Sequence, residues 1–277
     1  MIIECKPRIL RPQAQQVQID RSSPLAAGLS FCAPCTEGGG FPVELVTRTQ
    51  PVLGAGSLKW ITGTRGPGYG PGSSIDLRYN MDPIGGLATY TVFSAFHFPS
   101  TMPTGNEALG LTKWDGNGTV LLLRRQAANG TRVLAAFSGG NIDVNTAADG
   151  FTSGYNSLCV VLASAAMTVY CNGLSVATAS GSGTQNTTAY YTIFGDEIGA
   201  NSANGLSSSV NAIGYCAYAW KRALTPGEVW LMHRAPYTFI EPIARKHIVG
   251  IAVAAGGATQ RGRSLIIGQA VNRSRYW

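Results

Sequence analysis

Apolar residues in this chain come in short, strand-sized runs, cut at close intervals by glycine, asparagine and aspartate. The runs are 89–98, 119–125, 132–137, 158–162, 168–171, 190–194 and 210–220. Between them lie turn signals such as Pro103-Thr-Gly-Asn, Asp115-Gly-Asn-Gly, Asn129-Gly, Gly139-Gly-Asn and Asp149-Gly. Gly, Asn and Asp favour turns because they tolerate backbone conformations that other residues avoid. Many short strands at this spacing predict an antiparallel sandwich of meanders and Greek keys, not parallel βαβ units. The fold class expected is all-β, a two-sheet antiparallel sandwich over about residues 25–240.

Residues 215–237 change period partway along. Tyr215 to Trp220 alternate small and aromatic residues as a strand does, and a short helix is predicted over 226–234. Thr225 can accept from first-turn amides, and Pro226 stands where a missing N–H costs nothing. Glu228 can reach back to complete a capping box, and Pro236 ends the helix. Val229, Trp230, Leu231 and Met232 are expected to form its apolar face.

Composition narrows the class. The 277 residues include 35 Gly and only 13% charged side chains, which suits one large sandwich with extensions or two small domains. The longest apolar stretch near either end, 248–255, is far shorter than the roughly 20 residues of a spanning helix. The opening Met-Ile-Ile-Glu-Cys-Lys-Pro-Arg has no continuous apolar signal-peptide core, so synthesis in the cytoplasm without processing is expected. The Asn-x-Ser/Thr triplets at Asn117, Asn129, Asn186 and Asn272 read as incidental.

The segment Arg222-Ala-Leu-Thr-Pro-Gly-Glu228 after a last strand resembles the close of laminin-G-like, concanavalin A-like domains. Met167-Thr-Val-Tyr-Cys-Asn-Gly-Leu-Ser-Val-Ala is similar to that family's Asn-Gly hairpin. The 31–41 region, with Glu37 and Gly38-Gly-Gly, is similar to its first strand and following turn. The resemblance covers about residues 25–240 and implies a shared fold, a two-sheet antiparallel jelly roll, and not one activity.

Six cysteines stand at 5, 32, 35, 159, 171 and 216. Most lie in apolar strand patterns, where a thiol acts as a small hydrophobe, so free structural thiols are expected. Disulfide formation and metal binding remain alternatives. Cys32-Ala-Pro-Cys35 has CxxC spacing, but no thioredoxin-like βαβ unit or second ligand pair accompanies it. Cys159 and Cys171 are the best disulfide candidates, if their strands pair around Ser164-Ala-Ala.

Catalytic constellations are not visible. Laminarinase-like relatives of the fold carry Glu-x-Asp-x-x-Glu on one strand, and that spacing is absent here. Asp196 and Glu197 are adjacent, so on a strand they point to opposite faces and cannot flank one glycosidic bond. His97, His233 and His247 are scattered over a strand, the helix and the tail, and packing or surface roles are expected. Gly66-Pro-Gly-Tyr-Gly-Pro-Gly72 lacks the Lys-Ser/Thr of a phosphate loop and reads as an ordinary loop, with Tyr69 stacking to hold it. The chain is expected not to be an enzyme and to need no cofactor. Many laminin-G-like domains bind calcium at the rim; Asp76, Asp115, Asp143 and Asp149 are the loop carboxylates available, without a dense cluster. Tyr69, Trp114 and Tyr155 are the loop aromatics on which a glycan could stack.

The ends differ from the middle. Residues 1–24 read as a proline-punctuated arm. Residues 244–277 contain no acidic residue and carry Arg245, Lys246, Arg261, Arg263, Arg273 and Arg275. The remaining 243 residues hold 15 basic and 14 acidic side chains, so the tail supplies most of the net +7. Its aliphatic segments, 248–255 and 264–271, favour a protein partner over nucleic acid. The division expected is therefore an arm over 1–24, a sandwich over 25–243 and a docking extension over 244–277.

The opening Arg11-Pro-Gln, followed by Asp20-Arg-Ser-Ser-Pro-Leu-Ala, and the closing Arg234-Ala-Pro-Tyr237 resemble laminin-G-like proteins encoded by tailed bacteriophages. That resemblance implies a virion structural protein in a homo-oligomeric assembly: a capsid decoration, head-fibre or tail-appendage component. Neighbouring virion subunits would be its partners and a host-surface glycan its possible ligand. The alternative is a carbohydrate-binding or adhesin module for host-surface attachment.

Overall fold

The computed structural model describes residues 17–243, except 56–57, 64, 72–75, 100–106, 115–118, 127–129, 138–139, 146–149, 165, 182, 189 and 196–211. Its first strands are β1 (Val17–Ile19), β2 (Leu29–Ala33), β3 (Val52–Ala55), β4 (Leu58–Gly63), β5 (Gly66–Pro71) and β6 (Asp76–Tyr79). The middle of the chain forms β7 (Thr89–Phe98), β8 (Glu107–Ala108), β9 (Leu111–Trp114), β10 (Thr119–Gln126), β11 (Gly130–Phe137) and β12 (Gly140–Asn145). Then come β13 (Gly154–Ala163), β14 (Ala166–Cys171), β15 (Leu174–Ser180), β16 (Tyr191–Ile193), β17 (Ile213–Trp220), helix α1 (Pro226–Arg234) and β18 (Ile240–Pro242).

The strands make two antiparallel eight-stranded sheets and a small ribbon. The first sheet runs β12-β11-β10-β9-β16-β6-β3, with β8 beside β10. The second runs β15-β14-β13-β7-β17-β5-β4, with β2 beside β17. The ribbon pairs β1 with β18, Val17 opposite Pro242 and Ile19 opposite Ile240. Residues 17–24 of the expected arm are thus partly strand, with Asp20 accepting from the Ser22 amide and hydroxyl. Among the described residues no helix is long and apolar enough to cross a membrane.

Two apolar cores explain which sequence patterns alternate and which do not. The inner core lies between the sheets and takes Tyr90, Val92, Phe96 and Phe98 of β7, Leu158, Val160 and Leu162 of β13, and Leu121, Leu123, Val133 and Ile193 from the facing sheet. The outer core lies on the back of the second sheet. There Phe93, Ala95, Cys159, Val161, Tyr218 and Trp220 pack with Val229 and Met232 of α1, Phe239, and Val17 and Ile19. A sheet buried on both faces needs apolar residues at successive positions, so β17 is buried throughout. Aromatic rings carry much of this second core. Trp220 lies 6.1 Å from Phe239 and 5.9 Å from Tyr218, and its Nε1 donates to the Leu25 carbonyl at 2.6 Å.

Local chemistry sets the remaining joints. The Thr225 hydroxyl accepts from the Glu228 amide at 3.3 Å while Glu228 accepts from the Thr225 amide at 2.8 Å, the capping box the sequence predicts. Arg222 grips the same carboxylate at 2.7 and 3.0 Å. That hydrogen bonding outweighs partial burial and lowers the Glu228 pKa to about 2. Buried Glu44 accepts from the amides of Cys32, Val46 and Thr47 and from the Thr47 hydroxyl, pinning the turn after it against β2. Asn172 and Gly173 take φ +52° and +80°, the hairpin turn between β14 and β15.

Candidate functional site

A row of aromatic and cationic side chains runs over the outer face of the second sheet, from the β4–β5 turn to the exposed side of α1. It begins at Arg65, whose Cζ lies 3.4 Å from the centre of the Tyr155 ring. Tyr155 stacks on Tyr215 at 6.3 Å and reaches His233 at 5.6 Å; its hydroxyl donates to the His233 carbonyl at 2.9 Å. His233 is 5.6 Å from Trp230, and the Arg234 guanidinium carbon is 5.7 Å from the Trp230 ring centre. Trp230, His233 and Arg234 stand at i, i+3 and i+4, so one helix face presents all three.

The sheet below holds this row in place. His97 of β7 pairs in register with Tyr155 on one side and Ile213 on the other, so the three share the outer face. A bulge between Gly214 and Cys216 inserts Tyr215 as an extra residue on that face, and the Tyr237 hydroxyl donates to the Tyr215 carbonyl at 2.9 Å. The Trp230 ring rests on the β14–β15 turn: a Cβ added at Gly173 would meet Trp230 Cε3 at 2.6 Å. Asn172 fixes that turn by accepting from the Ser157 amide and donating to the Gly150 carbonyl.

The electrostatics are one-sided. Burial lowers the His233 pKa to about 4, with the positive charges of Arg65 and Arg234 acting in the same direction. His97 is lowered by burial and by Arg65. Both imidazoles are therefore neutral at pH 7, and His233 Nδ1 lies 2.9 Å from the Ser157 hydroxyl. Tyr155 is raised, mainly by burial, and stays protonated.

Elsewhere on the surface, a cleft of about 310 Å³ is lined by Gly28, Ser30, Thr47, Met81, Asp82 and Lys221. Its carboxylate is already committed: Asp82 accepts from the Gly85 amide at 2.6 Å and the Thr188 amide at 2.7 Å.

Several sequence expectations change. Gly66–Pro71 is strand β5, not a loop, and Tyr69 is fully buried against Phe194 at 6.4 Å, out of reach of any glycan. Glycine there admits Ile61, Ile213 and Tyr215, which occupy the space side chains would take. Tyr155 belongs to β13 and Trp114 ends β9, so neither is a loop residue. Of the expected apolar helix face, Val229 and Met232 are buried, whereas Trp230 is 45% and Leu231 43% exposed. Strands β3 to β6 lie where no strand is expected.

Cys159 and Cys171 are not positioned to bond. Leu158 is the partner of Cys171, and Cys159 that of Tyr170, so the thiols point to opposite faces, Cys159 outward and Cys171 inward. The described cysteines, 32, 35, 159, 171 and 216, are buried thiols, not disulfides. Cys32 lies in the outer core and Cys35 in the inner, so the CxxC pair does not converge on one site. Burial, then the charge of Glu44, pushes the Cys32 thiol well up. Among the calcium candidates, Asp143 is exposed on β12 and Asp76 opens β6. Asp115, Asp149, Asp196, Glu197, His247 and Cys5 lie outside the described residues. Among the described residues, no group of three or more His, Cys, Asp or Glu could hold a metal.

Arg65 and Arg234 were not signalled by the sequence as site residues. Arg234 was readable from its helical spacing to Trp230. Arg65 reaches Tyr155 only because β4 and β5 join the second sheet.

No protein-family model matches the sequence, and no curated protein is similar to it. Solved structures match the fold. Domain 4 of AbnA, an extracellular GH43 arabinanase of Geobacillus stearothermophilus in complex with arabinotriose, is 17% identical with a TM-score of 0.54, over 75% of this chain and 98% of that domain. The binding domain of Paraclostridial Mosquitocidal Protein 1 is 12% identical with a TM-score of 0.52, over 74% of this chain. The receptor binding domain of botulinum neurotoxin type G is 7% identical with a TM-score of 0.53, over 75% of this chain. The chain spans about half the length of the two toxin domains, 52% and 51%. These likenesses establish an antiparallel β-sandwich of jelly-roll type.

Proposed function

We propose that this chain is a non-catalytic attachment module that binds a glycan, or a receptor bearing one, on a host surface. The observation that carries this reading is the match to the arabinotriose-bound domain, which spans 98% of that domain. The mosquitocidal-protein binding domain and the neurotoxin receptor binding domain, with the same sandwich, support it. A sheet packed on both faces makes a rigid platform, and binding then lies on the surface groups it positions. The full-length protein is expected to be retained on an array of neutral and acidic oligosaccharides. Retention by none of them would overturn the reading.

The setting proposed for the module is the virion of a tailed bacteriophage, where residues 244–277, and of the expected arm the part that precedes β1, dock onto neighbouring subunits. The composition of 244–277, with aliphatic segments among six basic side chains and no acidic one, favours it. Ordering a segment costs about 1–2 kcal/mol per residue, which the aliphatic stretches offset only when buried against a partner. Basic residues would then add register and salt sensitivity. A chain ending at residue 243 is expected to fold but not to join particles. Incorporation equal to that of the full chain would remove the support for this setting.

A further inference from the structure

Arg65 Nη1 in the aromatic row and His97 Nδ1 in the sheet below it are both buried and have no partner among the described residues. A buried guanidinium N–H left unpaired loses its hydration without a replacement bond, so such a group in a native structure calls for an explanation. Arg65 is held against the Tyr155 face, and the charges acting on the two neighbouring imidazoles are those of arginines. The local field is therefore positive, and a ligand oxyanion would relieve it.

On the reading that the chain binds glycans, we infer that Arg65 and His97 form the subsite for a carboxylate of an acidic oligosaccharide, whose sugar rings extend along His233 to stack on Trp230. A planar guanidinium matches a carboxylate with two parallel N–H donors, whereas a neutral sugar offers it no charge. The row itself is continuous: Tyr155 to His233 and His233 to Trp230 are two steps of 5.6 Å each. Trp230 is 45% exposed and braced from beneath by Gly173, so one part of its surface stays open to an apolar sugar face. Arg234, 5.7 Å from that ring, adds positive charge at the far end. Exposed Leu174 directly follows Gly173, on which that ring rests.

The full chain is titrated calorimetrically with a trigalacturonate, 3′-sialyllactose, neutral lactose and inorganic phosphate. One carboxylated sugar should bind, with neither lactose nor phosphate matching it. Arg65→Gln and Trp230→Ala should each weaken that binding about tenfold or more, consistent with loss of a charge-assisted bond or a stacking surface. Arg65→Lys, which keeps the charge but loses the fork and the stacking, should recover only part of it. In the wild-type protein, imidazole NMR should show the His97 and His233 titrations moving up when the sugar is bound, because an anion favours the protonated form. If Arg65→Gln fails to fold, Trp230→Ala on the exposed helix face and the imidazole titrations decide. Acidic-sugar binding unchanged in folded Arg65→Gln and Trp230→Ala overturns the subsite and leaves the attachment function standing. So does binding confined to neutral sugars. Binding of phosphate as tight as that of the sugar reduces the subsite to a general anion site and overturns the glycan assignment. Failure with these sugars together with an empty oligosaccharide array overturns the attachment function itself.

Discussion

Replacing Trp220 with alanine is expected to lower the unfolding midpoint by roughly 10 °C. Trp220 is fully buried at the end of β17, and its ring packs on Tyr218 and Phe239 in the outer core. Truncation removes the largest buried side chain among the described residues, leaves a cavity in the outer core beside Tyr218 and Phe239, and orphans the Leu25 carbonyl that now receives the indole N–H at 2.6 Å. Such changes cost about 3–5 kcal/mol, and each kcal/mol moves the midpoint of a protein this size by about 2–4 °C. The effect should concentrate on the elements the indole joins: β17, the Pro24–Ala26 turn that includes Leu25, and the segment after α1. Thermal unfolding followed by circular dichroism checks it. A shift below about 2 °C would mean that the outer core does not hold the helix and ribbon as described.

Gly68→Ala should also destabilise strongly, although alanine is the better strand former. A Cβ at Gly68 would collide with Ile213 Cγ2 and lie 2.9 Å from the Gly214 carbonyl oxygen and 3.1 Å from Tyr215 Cδ1. Backbone cannot yield cheaply, so β5 would have to move away from β17. Overpacking of this kind costs about 1–3 kcal/mol and occasionally more, against a gain of about 0.5–1 kcal/mol from removing glycine. Collision therefore decides the sign. Gly39→Ala is the control: nothing lies within 4 Å of its added Cβ, and the residue is exposed. It should be neutral or stabilise by up to about 1 kcal/mol. Guanidinium denaturation of the two variants separates the effects, and equal midpoints would show that the close approach of β5 to β17 is not a constraint.

The contrast between these glycines marks how far the sequence could be read. Gly66-Pro-Gly-Tyr-Gly-Pro-Gly72 carries every local sign of a loop, and propensity alone assigns it to one. It becomes a strand because Ile61, Ile213 and Tyr215 fill the space side chains would otherwise occupy, and those neighbours come from segments up to about 150 residues away. Elements whose signals are local were legible. The Thr225–Glu228 capping box, the Asn172-Gly173 turn and the strand 89–98 all depend on residues a few positions apart.

The same division runs through the site. Trp230, His233 and Arg234 share a face by helical spacing alone, so the sequence determined that grouping. It also determined the all-β class, through short apolar runs cut by turn residues. Which residues the helix turns toward water was decided by tertiary packing: α1 lies on the back of a sheet whose outer core accepts Val229 and Met232 and leaves Trp230 at its margin. Arg65 and His97 reach the site only because β4–β5, β7, β13 and β17 lie side by side in the second sheet, an order set by non-local pairing that no window of sequence contains. The separation of Cys159 from Cys171 was decided in the same way. A hairpin through Ser164 allows them to face each other only in one register, and the inner core, which takes Leu158, Val160, Met167 and Val169, selects the other.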